Sequence, residues 1–341
     1  MKKVAAIAVA MTGVVAFSVA VASANDEGAG SASKAASNGR IVFQAGVGSR
    51  APQLFTILPD GTDMNRVTDI PTGDPRKDPG AENPVWSPDG STIMFDALTH
   101  GTPPGTKVNL FTVSPSGAGL AQLPLLAGKF SGDPAYSPDG KQISFDEDNS
   151  VADPRSHGIF IANADGSNPH QLTLASRSPT GAFDTESQWS PDGQTIAFTR
   201  VKSETKAAIF TIGVDGNGLT QLTPYKLDAA SPDWSPNGKA IAFNSYWDSP
   251  HGNVAQVMTM RPDGSHQKAI TKDHFGRKGQ IYCFRPSWAP DGTRIVFVRF
   301  KVKGESGVVA LYTMDPDGGN LDRVTTAKHV FPLNPDWGTA P

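Results

Sequence analysis

Apolar and polar residues alternate with a period of two along most of the chain, in short runs cut by Asp-Gly or Asn-Gly. Such alternation describes a strand with one buried face, and the punctuation describes a tight reversal. Ile93-Met-Phe95, Ile143-Ser-Phe145, Ile196-Ala-Phe198, Ile241-Ala-Phe243 and Ile295-Val-Phe297 each follow an aromatic-Ser/Ala-Pro-Asp/Asn-Gly turn. In that turn Pro presets φ near about −65°, and Gly supplies the positive φ that lets the chain reverse. A second hairpin comes after it. An apolar run such as Leu54-Phe-Thr-Ile57 or Ile209-Phe-Thr-Ile212 leads to a turn such as Pro59-Asp-Gly61 or Pro316-Asp-Gly318. A brief last strand then ends in Leu-Thr or a near variant, as in Gln171-Leu-Thr173, Gln221-Leu-Thr223 and Arg323-Val-Thr325.

The whole unit starts at Asn83, Asp133, Glu186, Ser231 and Arg285, and begins again at Asn334 just before the chain ends. Self-similarity at roughly 50 residues marks a repeat architecture. Short antiparallel strands in sets of four, repeated six times, predict an all-β fold, a six-bladed β-propeller. One blade cannot cover its own apolar faces, so Trp86, Tyr136, Trp189, Trp234, Trp288 and Trp337 are expected to wedge between blades. A buried aromatic removes about 150–250 Å² from water, worth about 4–6 kcal/mol before entropy. Asn38-Gly-Arg-Ile-Val-Phe43 reads as the missing second strand of the unit begun at Asn334. The N-terminal strand is thus expected to complete the C-terminal blade and remove an open edge.

The ends and the composition add limits. Lys2 and Lys3, the apolar run Val4 to Val21 and Ala22-Ser-Ala24 read as a signal peptide over 1–24 rather than a membrane anchor. The Gly, Ser and Ala-rich stretch 25–37 reads as a flexible linker, and 38–341 as the propeller. An exported protein, periplasmic or secreted, is the expectation, with no integral span after cleavage and no Cys to carry a lipid. A net charge of −3 points to neither nucleic acid nor a membrane surface, and a monomer is expected. The single cysteine, Cys283, lies in an apolar run and reads as a small buried hydrophobe.

Strand direction puts both tight turns of each unit on one face, and the second-to-third and blade-to-blade connections on the other. Function sits more often on long loops held by a rigid scaffold. On that face the candidate binding residues are Asn83, Asp133, Glu186, Ser231, Arg285 and Asn334, expected to ring the tunnel mouth, with Asp233 and Asp336 just inside. Asp133, Glu186, Asp233 and Asp336 against Arg285 make an acidic funnel suited to a cationic peptide or a metal ion. The plainer reading is solvated or capping residues at strand starts. Tyr246, Trp247, Phe275 and Phe331 are expected in loops, as partner anchors or as cover for the blade tops. His100, His157, His251, His274 and His329 fall in the same connections, but no His-x-x-x-His or Cys-His spacing assigns a metal. No nucleophile elbow, phosphate loop or His-Glu-x-x-His is present.

The unit Pro-x-Trp-Ser-Pro-Asp-Gly-x-x-Ile-x-Phe, followed by Ile-Phe-x-x-x-x-Asp-Gly and Leu-Thr, resembles the WD40-like (PD40) propeller repeat of the TolB family, from about residue 38 to 341. The resemblance implies a six-bladed propeller and, by the family's periplasmic role in the Tol–Pal envelope system, a scaffold that binds proteins, including a peptidoglycan-associated lipoprotein. TolB proteins carry an α/β domain ahead of the propeller, whereas residues 25–37 alone stand there in this chain. Two functions are expected. The first is a non-catalytic, exported scaffold, without cofactor, that engages a protein or peptide of the cell envelope through the long-loop face and the acidic mouth. The alternative is a metal-dependent propeller enzyme, a lyase or hydrolase acting on envelope or extracellular carbohydrate, with a divalent metal in the tunnel or at the loop histidines. Oligogalacturonate lyases built on similar repeats are the model for it.

Overall fold

The computed structural model describes residues 38–47, 51–70, 80–101, 105–125, 130–148, 157–174, 182–203, 206–249, 252–271, 280–303, 306–327 and 330–339. The signal segment, the linker and Phe275 lie outside them. Six four-stranded antiparallel sheets form the ring, each ordered along the chain from the axis outwards. Blade 1 takes its inner strand, Val330–Thr339, from the C-terminal end and its second, Asn38–Val47, from the N-terminal end. The two run antiparallel, with Asn38 opposite Thr339 and Ile41 opposite Trp337. The inner strands of blades 2 to 6 are Ala81–Trp86, Phe130–Tyr136, Phe183–Trp189, Ala229–Trp234 and Gln280–Trp288.

The repeated residues explain the repeated geometry. Phe43, Phe95, Phe145, Phe198, Phe243 and Phe297, the aromatic of each Ile-x-Phe, are fully buried. Each stands directly opposite a large third-strand residue: Phe55, Phe111, Phe160, Phe210, Met258 or Tyr312. The stacked pairs have ring centroids 5.7–6.0 Å apart in the first four blades, a cross-strand contact of the kind that holds sheets together. In the first turn, Ser87 Oγ donates to Asp89 Oδ1 at 2.6 Å and accepts the Thr92 N–H at 3.0 Å. Ser137, Ser190 and Ser235 repeat the arrangement. The Leu-Thr signature has an equally local cause. The fourth strands are two residues long, and beyond them a threonine hydroxyl continues the ladder. Thr68, Thr173, Thr223, Thr271 and Thr325 accept N–H groups of Leu54, Ile159, Ile209, Val257 and Leu311 at 2.8–3.1 Å.

Trp86, Trp189, Trp288 and Trp337 are buried between blades as expected, and Cys283 is buried in the seam cluster around Trp288. The second-to-third connections differ from expectation. In blades 4, 5 and 6 the strands Thr195–Ser203, Ile241–Ser249 and Ile295–Lys303 continue until two residues separate them from the next strand. Long connections on that face are therefore chiefly the blade-to-blade segments. Tyr246 and Trp247, expected in a loop, lie within the strand Ile241–Ser249, and Phe331 and His100, expected in connections, lie within Val330–Thr339 and Ile93–Gly101.

Candidate functional site

Every inner strand is interrupted by a register shift, at Glu82/Val85, Gly132/Ala135, Thr185/Gln188, Ala230/Asp233, Phe284/Ser287 and, in blade 1, opposite Val42/Gln44. The bulged residue has positive φ in all six: Asn83 (48°), Asp133 (44°), Glu186 (54°), Ser231 (53°), Arg285 (54°) and Asn334 (47°). Left-handed backbone comes readily to Asn and Asp, but for Glu, Ser and Arg it costs on the order of 1–3 kcal/mol each. Bulges bend a strand and re-aim a side chain. Here they aim the predicted ring into the axis, around a cavity of about 80 Å³ that Asp233 and Asp336 also line. That space admits a few waters, an ion or one side chain rather than a drug-sized ligand, which needs roughly 300 Å³ or more.

The ring spends much of its polarity on joining blades. In four of the blades the residue after Ile-x-Phe reaches the bulge of the next blade: Gln44 accepts the Asn83 N–H at 2.7 Å, Thr199 that of Ser231 at 3.1 Å and Asn244 that of Arg285 at 3.1 Å. Asp96 takes the Asp133 N–H at 3.4 Å. Deeper in, Asp233 Oδ2 accepts the Trp288 N–H at 2.6 Å and Asp336 Oδ2 the Trp86 N–H at 2.7 Å. Asp233 and Asp336 thus belong to the seams before they belong to a funnel, and burial raises both carboxyls, Asp233 to about 8.

The guanidinium of Arg285 crosses the axis from blade 6 to Glu186 Oε1 in blade 4 at 2.8 Å and Asp133 Oδ1 in blade 3 at 3.7 Å. A cation of the chain itself therefore already stands in the acidic mouth that the sequence offered to a cationic ligand. Burial pulls the Arg285 guanidinium down, but Glu186 and Asp133 outweigh it and hold it above its usual value. Asn334 donates to both Gln44 and Asn83 on the other side of the ring.

Sequence reasoning missed the carboxyls behind this pair. Glu82 is pushed up to about 8 by burial and then by Asp96 and Asp133. Asp96 is pushed up to about 7 by burial and then by Asp133. Asp146 is raised by burial, then by Asp133 and Asp96. The signal was available: Asp96 and Asp146 hold the position after Ile-x-Phe that Thr199 and Asn244 hold in blades 4 and 5.

Three exposed aromatics stand around the mouth. Tyr246 keeps 37% of its surface and Phe331 44%, and Phe183, at 37%, meets the ring of His157 edge-on with centroids 6.5 Å apart. The Tyr246 hydroxyl is pushed up to about 12 by burial and then by the charge of Glu186. The side chains of Trp247 and His100 lie outside the described residues, as do His251, His274 and His329. Among the described residues no three of His, Cys, Asp and Glu are gathered to hold a metal ion, and no helix is long and apolar enough to cross a membrane.

Comparison with known proteins agrees with this architecture. The family model described as the TolB beta propeller domain matches residues 84–340. An uncharacterized protein of Agrobacterium fabrum is 26% identical over 255 residues, covering 71% of this chain and 74% of that protein. A TolB homolog of Chlorobium luteolum is 28% identical over 146 residues, 42% of this chain but 29% of its own length. The crystal structure of TolB from Acinetobacter baumannii superposes with a TM-score of 0.64 at 19% identity, over 88% of this chain and 66% of that one. At that identity the likeness speaks for the fold alone. With the family model spanning most of the ring, this chain belongs to the TolB β-propeller family.

Proposed function

We propose that the protein is an exported, non-catalytic scaffold that engages a protein or peptide partner through the face bearing the blade-to-blade connections. The observation that carries this reading is the mouth itself. Six left-handed residues converge there, three of them strained, the internal Arg285–Glu186 pair closes the axis, and exposed Tyr246, Phe183 and Phe331 surround it. Exposed aromatics beside desolvated charge are the usual composition of interface hot spots, while the small axial cavity supplies little room for a separate substrate. The partner reads the aromatic rim, and its polar groups meet the Arg285, Glu186 and Asp133 cluster at the centre. Membership of the TolB propeller family supports a binding scaffold in general terms.

The test uses the mature chain as bait for envelope and culture-fluid proteins, with variants on opposite faces. Tyr246→Ala combined with Phe331→Ala is expected to lose the captured partner while keeping the thermal transition of the parent. Leu120→Ser, at an exposed position of the tight-turn face, is expected to capture as the parent does. Equal capture by both variants would remove the proposal. Charge reversal at Asp133 or Asp233 is a poor probe, because it strikes carboxyls that also hold the blades together.

A further inference from the structure

The seam between blades 4 and 5 has a gap on the tight-turn face, opposite the candidate site. Trp86, Trp189, Trp288 and Trp337 retain 6–8% of their surface, whereas Trp234, like Tyr136, stays partly accessible. Beside Trp234 opens a cavity of about 440 Å³, inside the roughly 300–1,000 Å³ range of small-ligand sites. Its walls are Trp234 and Pro262 of blade 5, with Ile212, Thr195, Thr211 and Asn217 of blade 4. The backbone of Gly213 and Gly218 completes it.

The gap has a cause in the sequence. Gly213 stands where the other blades carry Leu58, Ser114, Asn163, Arg261 and Asp315. A Cβ there would sit 2.6 Å from Asp215 Oδ1 and 3.1 Å from the Asn217 carbonyl oxygen, and the absence of a side chain at Gly213 leaves this part of the seam uncovered. Gly218 faces open space. The lining contains no charged side chain, which leaves nothing to hold a phosphate, carboxylate or ammonium ion. It does contain an indole, two hydroxyls and an amide. Asp215 takes the Asn217 N–H and Nδ2, both at 3.0 Å, which leaves the amide oxygen to accept.

We infer that this inter-blade cavity binds a neutral sugar ring, which lays its C–H face on the Trp234 indole and exchanges hydrogen bonds with Thr195, Thr211 and Asn217. An apolar platform flanked by a few neutral donors and acceptors matches a ring that is apolar on its face and hydroxylated at its edge. The site is independent of the partner-binding mouth, and either can stand without the other.

Indole N–H resonances of the full chain report on it directly, with the Trp234 signal assigned by its loss in Trp234→Phe. The probes are methyl β-glucoside, methyl β-galactoside and N-acetylglucosamine, with glucuronate as the charged counterpart and a short Trp-containing peptide as the competing class. A saturable shift of the Trp234 signal by at least one neutral sugar, weaker with glucuronate and with the peptide, is the expected result. Gly218→Asn fills the rim without strain, because Asn168 and Asn320 hold the same left-handed turn position in blades 3 and 6, at φ of 54° and 46°. That variant and Thr211→Val are each expected to weaken binding about tenfold, by occlusion and by loss of a hydrogen bond. No saturable shift with any neutral sugar, a shift untouched by Gly218→Asn, or a preference for the peptide would overturn the inference.

Discussion

At the scale of the residue, the repeated motif is a set of hydrogen bonds, and each can be broken singly. Thr223 Oγ1 accepts the buried Ile209 N–H at 2.8 Å. Thr223→Val keeps the shape and strands that donor, at a cost of about 1–3 kcal/mol. A lower urea midpoint with unchanged m-value, restored by Thr223→Ser, is the expected outcome. The carboxyls divide into two groups with opposite pH dependence. Asp89 and Asp192 are held below the usual carboxylate range by the hydroxyls of Ser87 and Ser190, so their stabilisation is lost as pH falls through that range. Glu82, Asp96 and Asp233 go the other way, to about 8, 7 and 8 from ordinary values of 4.5, 3.8 and 3.8. A group whose folded value is raised binds its proton more tightly when folded. Its contribution is complete below the ordinary value and disappears as pH climbs through about 7–8. The melting temperature is therefore expected to be higher near pH ~5 than near pH ~9, with a smaller difference in Asp96→Asn. A flat profile for the parent would contradict the burial of these groups. The turn half of this pattern was legible, because its partners lie within five residues of each other. The buried half was not, because Asp96 and Asp133 meet only when two blades are side by side.

At the scale of the element, apolar alternation found the strands but underestimated their length. Ile241–Ser249 runs on through Tyr246-Trp-Asp-Ser249, and Ile295–Lys303 through Lys301-Val-Lys303. A ladder needs only paired N–H and C=O groups, and a strand tail that drops the apolar alternation looks like a loop in the sequence. The mouth ring was found by position rather than by chemistry. Counting three residues back from each aromatic located all six bulges, while their role as seams depended on contacts between units. One seam yields a sharp prediction. Gly338 occupies the place after the aromatic that Ser holds in four of the blades and Ala289 in blade 6. A Cβ at Gly338 would lie 2.6–2.7 Å from three atoms of the Trp86 indole. Gly338→Ala is expected to cost about 1–3 kcal/mol by forcing that ring out of its seam. Thermal unfolding followed by near-UV dichroism reads both the loss of stability and the displaced tryptophan. Parental stability and an unchanged aromatic signal would show that the seam yields without strain.

At the scale of the molecule, the ring is closed by non-covalent pairing within blade 1. That closure was readable in advance, because Asn38–Phe43 carries the half-motif that Asn334–Trp337 lacks. The pairing of Asn38 with Thr339 brings the two ends of the ring together. Both inner strands of blade 1 lie at chain ends, so cooperative unfolding is expected to begin there, and if either strand peels away, two sheet edges and the Trp337 wedge are exposed at once. Directly opposed residues in an antiparallel pair have Cα atoms about 4.5–5.5 Å apart, within the roughly 4.4–6.8 Å that a disulfide spans. Asn38→Cys with Thr339→Cys therefore places two thiols within reach of a bond that joins the ends, and buried Cys283, the one native cysteine, does not compete. A crosslink enclosing roughly 300 residues removes much denatured-state freedom, with an upper value of about 6 kcal/mol on the chain-entropy account. The oxidised variant is expected to melt well above its own reduced form, and the reduced form somewhat below the parent, because Asn38 Oδ1 accepts the Asp291 N–H and Thr339 Oγ1 donates to the Pro88 carbonyl. Substitution at the two sites alone leaves the strand pairing intact, so only the bond distinguishes the two forms. An oxidised form that melts no higher would mean that the ring first opens at another seam, and blade 1 would lose its place as the weak link.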